Sequence, residues 1–450
     1  MVFKHVRALL ICAFAVTFTA SPLPATAAEK WQGKVPKEAE KPEDWALLLN
    51  ALTQAEMPYG AMAGARNMLS FFSDLPTKEL AYSTIIRLVD TGYPFSTRGD
   101  FIPGDLDPTN QDGFSQSYLL YKGIVNHDKK MEKWADYYFN KIDKENFPKY
   151  LFFRATELYG KGHPQEAIVL IKKALALCTG AESRVIAKKL ARTLARIHYE
   201  LGDYQKSLEI YETFLLKVNP MNPSDWIEAA WNLYQLKKYP EALGMLYNLE
   251  AKTQEPTVPL EKYVLRGLIY REFCSTIATE QLLKSFNKDF GATINGIKVG
   301  EPLSSFNLLT TVSHPQAQEY RQYTHAISEL EREVKQVGSL PKVVRELATY
   351  LYTSELAMLK RGRLYFEDHA LEALARHLVI LGESIRFLRF DVARERFSPD
   401  RVFAEVPVEP VKLVESTDEA GFRLHWLQWG DYWRDERMLY RGLVKSACLK

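Results

Sequence analysis

The chain lacks the residues that most often announce chemistry. Four cysteines stand among 450 residues, with no Cys-x-x-Cys pair and no histidine at ligand spacing, so no zinc module can be read from it. There is no Gly-x-Ser-x-Gly, no His-Glu-x-x-His and no phosphate loop. The nine histidines are scattered; His163 falls in a turn and His314 precedes Pro315. No catalytic residue, metal ligand or cofactor site is assigned, and the chain reads as a non-enzyme. Net charge is also missing. The 58 basic and 56 acidic residues leave +2, which argues against nucleic-acid binding and against general adhesion to anionic lipid. What is present is apolar content of 46% against 25% charged, enough to bury a large core and too apolar for disorder.

The first residues read as a secretory signal. Lys4, His5 and Arg7 form a basic start, Ala8 to Ala20 an apolar run, and Ser21-Pro-Leu-Pro-Ala-Thr-Ala-Ala28 a small-residue cleavage region. Cleavage is expected after Ala27 or Ala28, leaving an exported protein in the periplasm, associated with the outer membrane or secreted. The apolar run is short for a membrane span, which needs about 20 residues; a retained anchor is the alternative. Cys12 sits inside the run after Leu10-Ile11, where a lipobox would want a small residue. No later segment is long and apolar enough to span a bilayer.

Residues 29–43, with Pro36 and Pro42, read as a flexible lead. Helical periodicity begins at Asp44 and recurs over Tyr59–Phe72 and Thr77–Val89, so 44–113 is taken as N-terminal helices followed by a loop. That loop, Thr91 to Gly113, is dense in glycine and proline. Within it, Asp105 opens a stretch like a calcium loop, but Thr109, Asn110 and Gln116 occupy positions that need an acid or Asn, a glycine and a glutamate. Asx turns explain these residues equally well.

From 114 to 286 the text repeats. The clearest copy is Tyr199-Glu-Leu-Gly-Asp-Tyr-Gln-Lys-Ser-Leu-Glu-Ile-Tyr-Glu-Thr-Phe214, in which a helix ends in a Gly-Asp turn and a second helix follows. Gly162-His-Pro-Gln-Glu-Ala167 precedes it and Lys238-Tyr-Pro-Glu-Ala242 follows. The slots where one helix meets the next fall to Ala155, Ala167 and Ala174 in unit 148–181, to Ala195, Ser207 and Phe214 in 188–221, and to Ala230, Ala242 and Leu249 in 223–256. Weaker copies are 116–149, with Gly123, Ala135 and Phe139, and 260–286, with Gly267, Tyr270 and Leu283. This period, near 34 residues, resembles the tetratricopeptide repeat, a helix-turn-helix unit that stacks into a solenoid. The resemblance implies a concave face built from the first helix of each unit that binds other proteins. Carried over to this chain, its peptide-binding positions are Phe152, Thr156 and Tyr159; Lys189, Arg192, Arg196 and Tyr199; and Ile227, Trp231 and Tyr234. Lys189, Arg192 and Arg196 share one helical stripe, suited to an acidic or carboxylate-ended peptide; a solvated face crossed by ion pairs is the other reading.

Residues 287–314, with Gly291, Gly296, Gly300 and Pro302, read as a connector. A helical hairpin over 315–398 follows, with a sharp stop at Gly338–Pro341. Its second arm, Lys342 to Arg396, is 55 residues without proline, roughly 80 Å as a helix. Leu371, Leu374, Leu378, Leu381, Ile385, Leu388 and Val392 form a heptad seam along it. Residues 399–450 are taken as an extended segment and a C-terminal helix carrying Trp426, Trp429 and Trp433. This tail and Tyr263–Cys274 are similar to secreted envelope repeat proteins of myxobacteria and related gliding or predatory bacteria. If the tail folds back along the long arm, a Cys274–Cys448 bridge with Cys178 reduced follows; three free thiols or another pairing are the alternatives.

The expected architecture is therefore all-α: a repeat solenoid, a long-helix hairpin and a short Trp-rich tail. The expected role is a non-catalytic scaffold that docks other envelope proteins or peptides and meets the membrane only through them. One alternative is a cell-wall adaptor binding glycan or hydrolases through the Trp-rich tail. Another is a structural protein that forms homodimers through the seam 371–392.

Overall fold

The computed structural model describes residues 41–90, 116–180, 183–217, 222–250, 258–313, 317–396, 441–442 and 448. The expected signal segment, the Asp105 loop and the tryptophans of the tail lie outside the described residues. What is described is helical, apart from a two-residue parallel pairing of Val258–Pro259 with Val312–Ser313.

The helices are α1 (Pro42–Gln54), α2 (Pro58–Phe71), α3 (Leu75–Asp90), α4 (Gln116–Asp128), α5 (Glu132–Phe139), α6 (Pro148–Gly160), α7 (Pro164–Ala176) and α8 (Arg184–Glu200). There follow α9 (Tyr204–Ile210), α10 (Pro223–Gln235), α11 (Tyr239–Tyr247), α12 (Glu261–Glu272), α13 (Thr276–Val299), α14 (Leu308–Thr311), α15 (Gln318–Val334) and α16 (Arg345–Arg396). Proline opens α1, α2, α6, α7 and α10, where its missing N–H leaves no bond unmade. Ser275 caps α13 by accepting from the Ala278 amide at 3.3 Å.

Six turns between consecutive helices share one geometry. Each has a residue at positive φ: Glu56, Lys130, Gly162, Gly202, Lys237 and Cys274. The next amide donates to the carbonyl five residues back, at 2.8–3.0 Å in all six, the pattern that closes a helix with a left-handed residue. Five residues after each turn residue stands a small side chain: Ala61, Ala135, Ala167, Ser207, Ala242 and Thr279, each 0% exposed. Seven residues before it stand Gly123, Ala155, Ala195, Ala230 and Gly267, with Leu49 in the first copy. Small residues at these two places let paired helices approach closely. At Gly123 an added Cβ would lie 2.2 Å from the Phe139 ring.

The first of these hairpins, α1–α2, was not among the expected repeats. Two further expectations change. Phe214 is 46% exposed, because α9 runs into a π-helical turn at Tyr211–Leu215; the added residue rotates Phe214 outward and seats Leu215, 4% exposed, in the core. The connector expected at 287–314 is helical as far as Val299, since α13 runs through Gly291 and Gly296.

The chain forms two compact units, the first from residues 1–197 and 314–373, the second from 198–313 and 374–450. In the first, Trp45, Leu48, Leu49, Leu52 and Met57 are buried in one cluster with Tyr82, Ile85, Leu330, Leu351 and Tyr352. A single carboxylate joins α15 to the start of α2. Glu333, 2% exposed, accepts from the Tyr59 and Gly60 amides at 2.9 and 2.8 Å and from the Tyr352 hydroxyl at 2.7 Å. It thereby caps α2 from another helix. Gly60 is required here, since a Cβ would sit 2.1 Å from the Tyr352 oxygen.

In the second unit, α12 and α13 pack on the later half of α16. Phe286 meets Tyr263 and Phe290 with ring centroids 5.2 and 5.3 Å apart. Lys298 pairs with Glu383 at 2.6 Å and Arg389 with Glu280 at 2.9 Å. The heptad seam faces inward: Leu374, Leu378, Ile385 and Val392 are each 0% exposed. It is engaged within its own chain, which removes it as the dimer face of the structural-protein alternative.

Candidate docking surface

On α6 in the first unit, Phe152 and Tyr159 are half-buried and Thr156 is exposed. The Thr156 hydroxyl donates to the Phe153 carbonyl at 2.8 Å, a local bond that leaves its face on the surface. Beside it, Glu157 is held by Arg154 and by Lys161, the latter at 2.6 Å.

Helix α8 supplies the charge. Between Arg184 and Ile197 it carries Arg184, Lys188, Lys189, Arg192 and Arg196 and no acidic residue. Lys189, Arg192 and Arg196 follow the i, i+3, i+7 spacing of a single helical face. Arg192 and Arg196 are half-buried, and Lys189 keeps open surface. Even so, burial and then the neighbouring charges of Lys149 and Arg192 hold the Lys189 ammonium below its ordinary pKa. Lys189, Arg192 and Arg196 together make one positive wall on α8. Lys149, which donates to the Ser117 hydroxyl at 3.2 Å, adds a fourth cation to this wall. The sequence reading missed it, although it stands one turn before Phe152 on the same helix.

In the second unit the expected positions divide. Tyr199 is half-buried; its hydroxyl accepts from Gln235 Nε2 at 3.3 Å and its ring meets Tyr204 at 5.2 Å. Tyr234 donates to Glu272 at 3.5 Å. Burial pushes both phenols up to about 12. Ile227 and Trp231, however, are 2% and 7% exposed. They belong to the core of α10, with Trp226, Ala229, Ala230 and Leu233, and present no open wall. Trp231, Tyr234, Tyr239 and Phe273 form an aromatic series with neighbouring centroids 5.8, 5.7 and 5.6 Å apart.

Cys274 and Cys448 lie at disulfide-bonding distance, with Cα atoms 4.9 Å apart. Cys178 is a free thiol whose pKa burial pushes up, and it donates to the Ala174 carbonyl at 3.2 Å. Among the described residues no group of three or more His, Cys, Asp or Glu is placed to hold a metal ion. No described helix is long and apolar enough to cross a membrane. A cleft of about 290 Å³ including its open mouth lies beside Tyr59, Met62 and Leu359, and its polar wall is the paired Arg66 and Glu355.

Neither a family model, nor a curated protein, nor a solved structure matches the chain.

Proposed function

We propose that this protein is a non-catalytic docking scaffold of the bacterial envelope, built on tetratricopeptide-like hairpins, and that the cationic wall of its first unit takes an acidic or carboxylate-ended segment of a partner protein. The observation that carries this reading is the spacing of Lys189, Arg192 and Arg196 along one face of α8, with Lys149 near enough to Lys189 to disfavour its charge and no acidic side chain on α8 before Glu200. Arginine suits the task, since its planar fork binds a carboxylate through two hydrogen bonds. Phe152 and Tyr159 supply apolar surface on a helix of the same unit.

The repeated turn supports the scaffold reading. Hairpins that share one geometry present their first helices in a repeating way, and such surfaces recognise extended segments without rearrangement. Export rests on the basic start, the apolar run and the small residues before Glu29; mass spectrometry of the protein from its host should find residues 1–27 removed, and an intact Met1 contradicts export.

The docking claim is tested with a labelled peptide ending in aspartate and glutamate residues and a free carboxylate. Saturable binding that weakens as salt rises is expected. Binding unchanged in Arg192→Glu with Arg196→Glu contradicts the assignment of the wall.

A further inference from the structure

The first unit has a second surface that the docking wall does not use. On α5 and at its start, Met131, Trp134 and Tyr137 are 44%, 47% and 40% exposed. The other described tryptophans are interior: Trp45 and Trp226 at 0% and Trp231 at 7%. Trp134 and Tyr137 meet edge to face with centroids 5.9 Å apart, so the pair forms one amphipathic patch. The opposite side of the helix is anchored by Ala135, Tyr138 and Phe139, all buried. The patch is therefore fixed in place by the core beneath it.

Its charges are sorted around the helix. At about 100° per residue, Lys133 falls about 40° from Tyr137 and about 70° from the middle of the Trp134–Tyr137 pair, while Asp136 and Glu132 lie about 130° and about 170° from it. Glu132 is also engaged by His127 at 3.3 Å. Lys129 and Lys130 are exposed in the turn that leads into α5. Lys141 lies across the Tyr137 ring with its ammonium nitrogen 3.8 Å from the centroid, and that nitrogen has no hydrogen-bond acceptor among the described residues. An ammonium covered by protein and resting on an aromatic face lacks one component: an anionic oxygen.

We propose that this face of the first unit adsorbs to a lipid bilayer carrying anionic headgroups, with Trp134 and Tyr137 at the headgroup level, Met131 entering the acyl boundary, and Lys133, joined by Lys141 once its side chain swings off the Tyr137 ring, bound to headgroup phosphate. Tryptophan and tyrosine favour that level because their rings are apolar in body and polar at one edge, and lysine reaches phosphate while its stem covers apolar surface. The near-zero net charge of the whole chain does not oppose this, since attraction to a charged surface acts within about a Debye length and is decided by the face presented. The inference departs from the expectation that the protein meets the membrane only through its partners, and it is independent of the docking wall on α8.

The test is co-sedimentation of the protein purified from its host with vesicles of phosphatidylcholine, or of phosphatidylcholine mixed with phosphatidylglycerol. Binding to the mixed vesicles that weakens as salt is raised is expected. Trp134→Ser with Tyr137→Ser, and separately Lys133→Glu with Lys141→Gln, should each lower partition at least about tenfold with the circular dichroism unchanged. Absence of vesicle binding, or equal binding by both double variants, overturns the proposal. So does displacement of the protein from the mixed vesicles by inorganic phosphate at modest concentration, which would make the patch a site for the free ion. Loss of a captured protein in these variants with vesicle binding intact would assign the face to a protein partner and overturn it as well.

Discussion

Replacing Glu333 by alanine should destabilise the first unit by about 3 kcal/mol. The figure follows from what the carboxylate holds. Two amides at the start of α2 and the Tyr352 hydroxyl donate to it in a site that is 2% exposed. Hydrogen bonds to a charged group contribute roughly 1.5–3 kcal/mol each, and donors left buried and unpaired cost a similar amount. Against this stands the cost of burying the carboxylate, which the alanine variant escapes. The three donors left buried without an acceptor, at about 1 kcal/mol or more each, set a loss of the order stated. Tyr352→Phe removes one donor and should cost about 1 kcal/mol. Glu333→Gln retains an acceptor and should fall between the two.

Acidity separates this account from a simple packing effect. Burial outweighs the three donors and raises the Glu333 carboxyl above its ordinary pKa. A group with a raised folded pKa contributes its full stability below its unfolded pKa and loses it as pH rises through the folded value. The advantage of the wild type over Glu333→Gln should therefore shrink from mildly acid to neutral pH. Urea unfolding followed by circular dichroism measures both effects. An alanine variant within about 0.5 kcal/mol of wild type would refute the capping role, since surface changes are that small. An advantage that grows with pH would show that the donors outweigh burial.

Other expectations follow from the hairpins and the cysteines. Ala242, 0% exposed at the repeated small-residue position, should tolerate leucine poorly, with a loss of about 1–3 kcal/mol in unfolding free energy; an unchanged midpoint would argue against the register. Lys237 holds φ at 60° in its turn, so Lys237→Gly should be neutral or raise stability by up to about 1 kcal/mol, and a clear loss would show that the lysine side chain matters more than its backbone. Peptide mapping without reduction should recover Cys274 joined to Cys448 and Cys178 alkylated; in the chain-entropy model a bond across 174 residues stabilises by roughly 5 kcal/mol, and recovery of both as alkylated thiols would contradict the bond.

The parts of the fold that were legible are those where local rules act alone. Gly202-Asp203, Ala167 and Ala242 mark a turn and a close helix contact through backbone freedom and small volume, and both can be read in the text. The α1–α2 hairpin makes the same turn with Glu56 in the left-handed position and Leu49 in the earlier slot, so of these signs only Ala61 was present. Gly291 and Gly296 read as breakers, yet α13 continues through them; an added Cβ at Gly296 would lie 2.6 Å from Phe306, so tertiary packing uses the glycine that propensity counts against the helix. The binding positions were legible only where a helix has one buried face. Most of α10 is buried, and periodicity cannot there separate a concave wall from a core, which is why Ile227 and Trp231 were misplaced. Glu333 follows Glu329 and Glu331 in sequence, and nothing local distinguishes the one glutamate that is buried.

The central claim is that the cationic wall of α8 captures a partner. Affinity capture from envelope extract, run side by side with the wild-type protein and with the Arg192→Glu, Arg196→Glu variant at matched helicity, tests it most directly. The account expects proteins retained by the wild type to be lost from the variant and to be released from the wild type by salt. The same proteins recovered on both would contradict it.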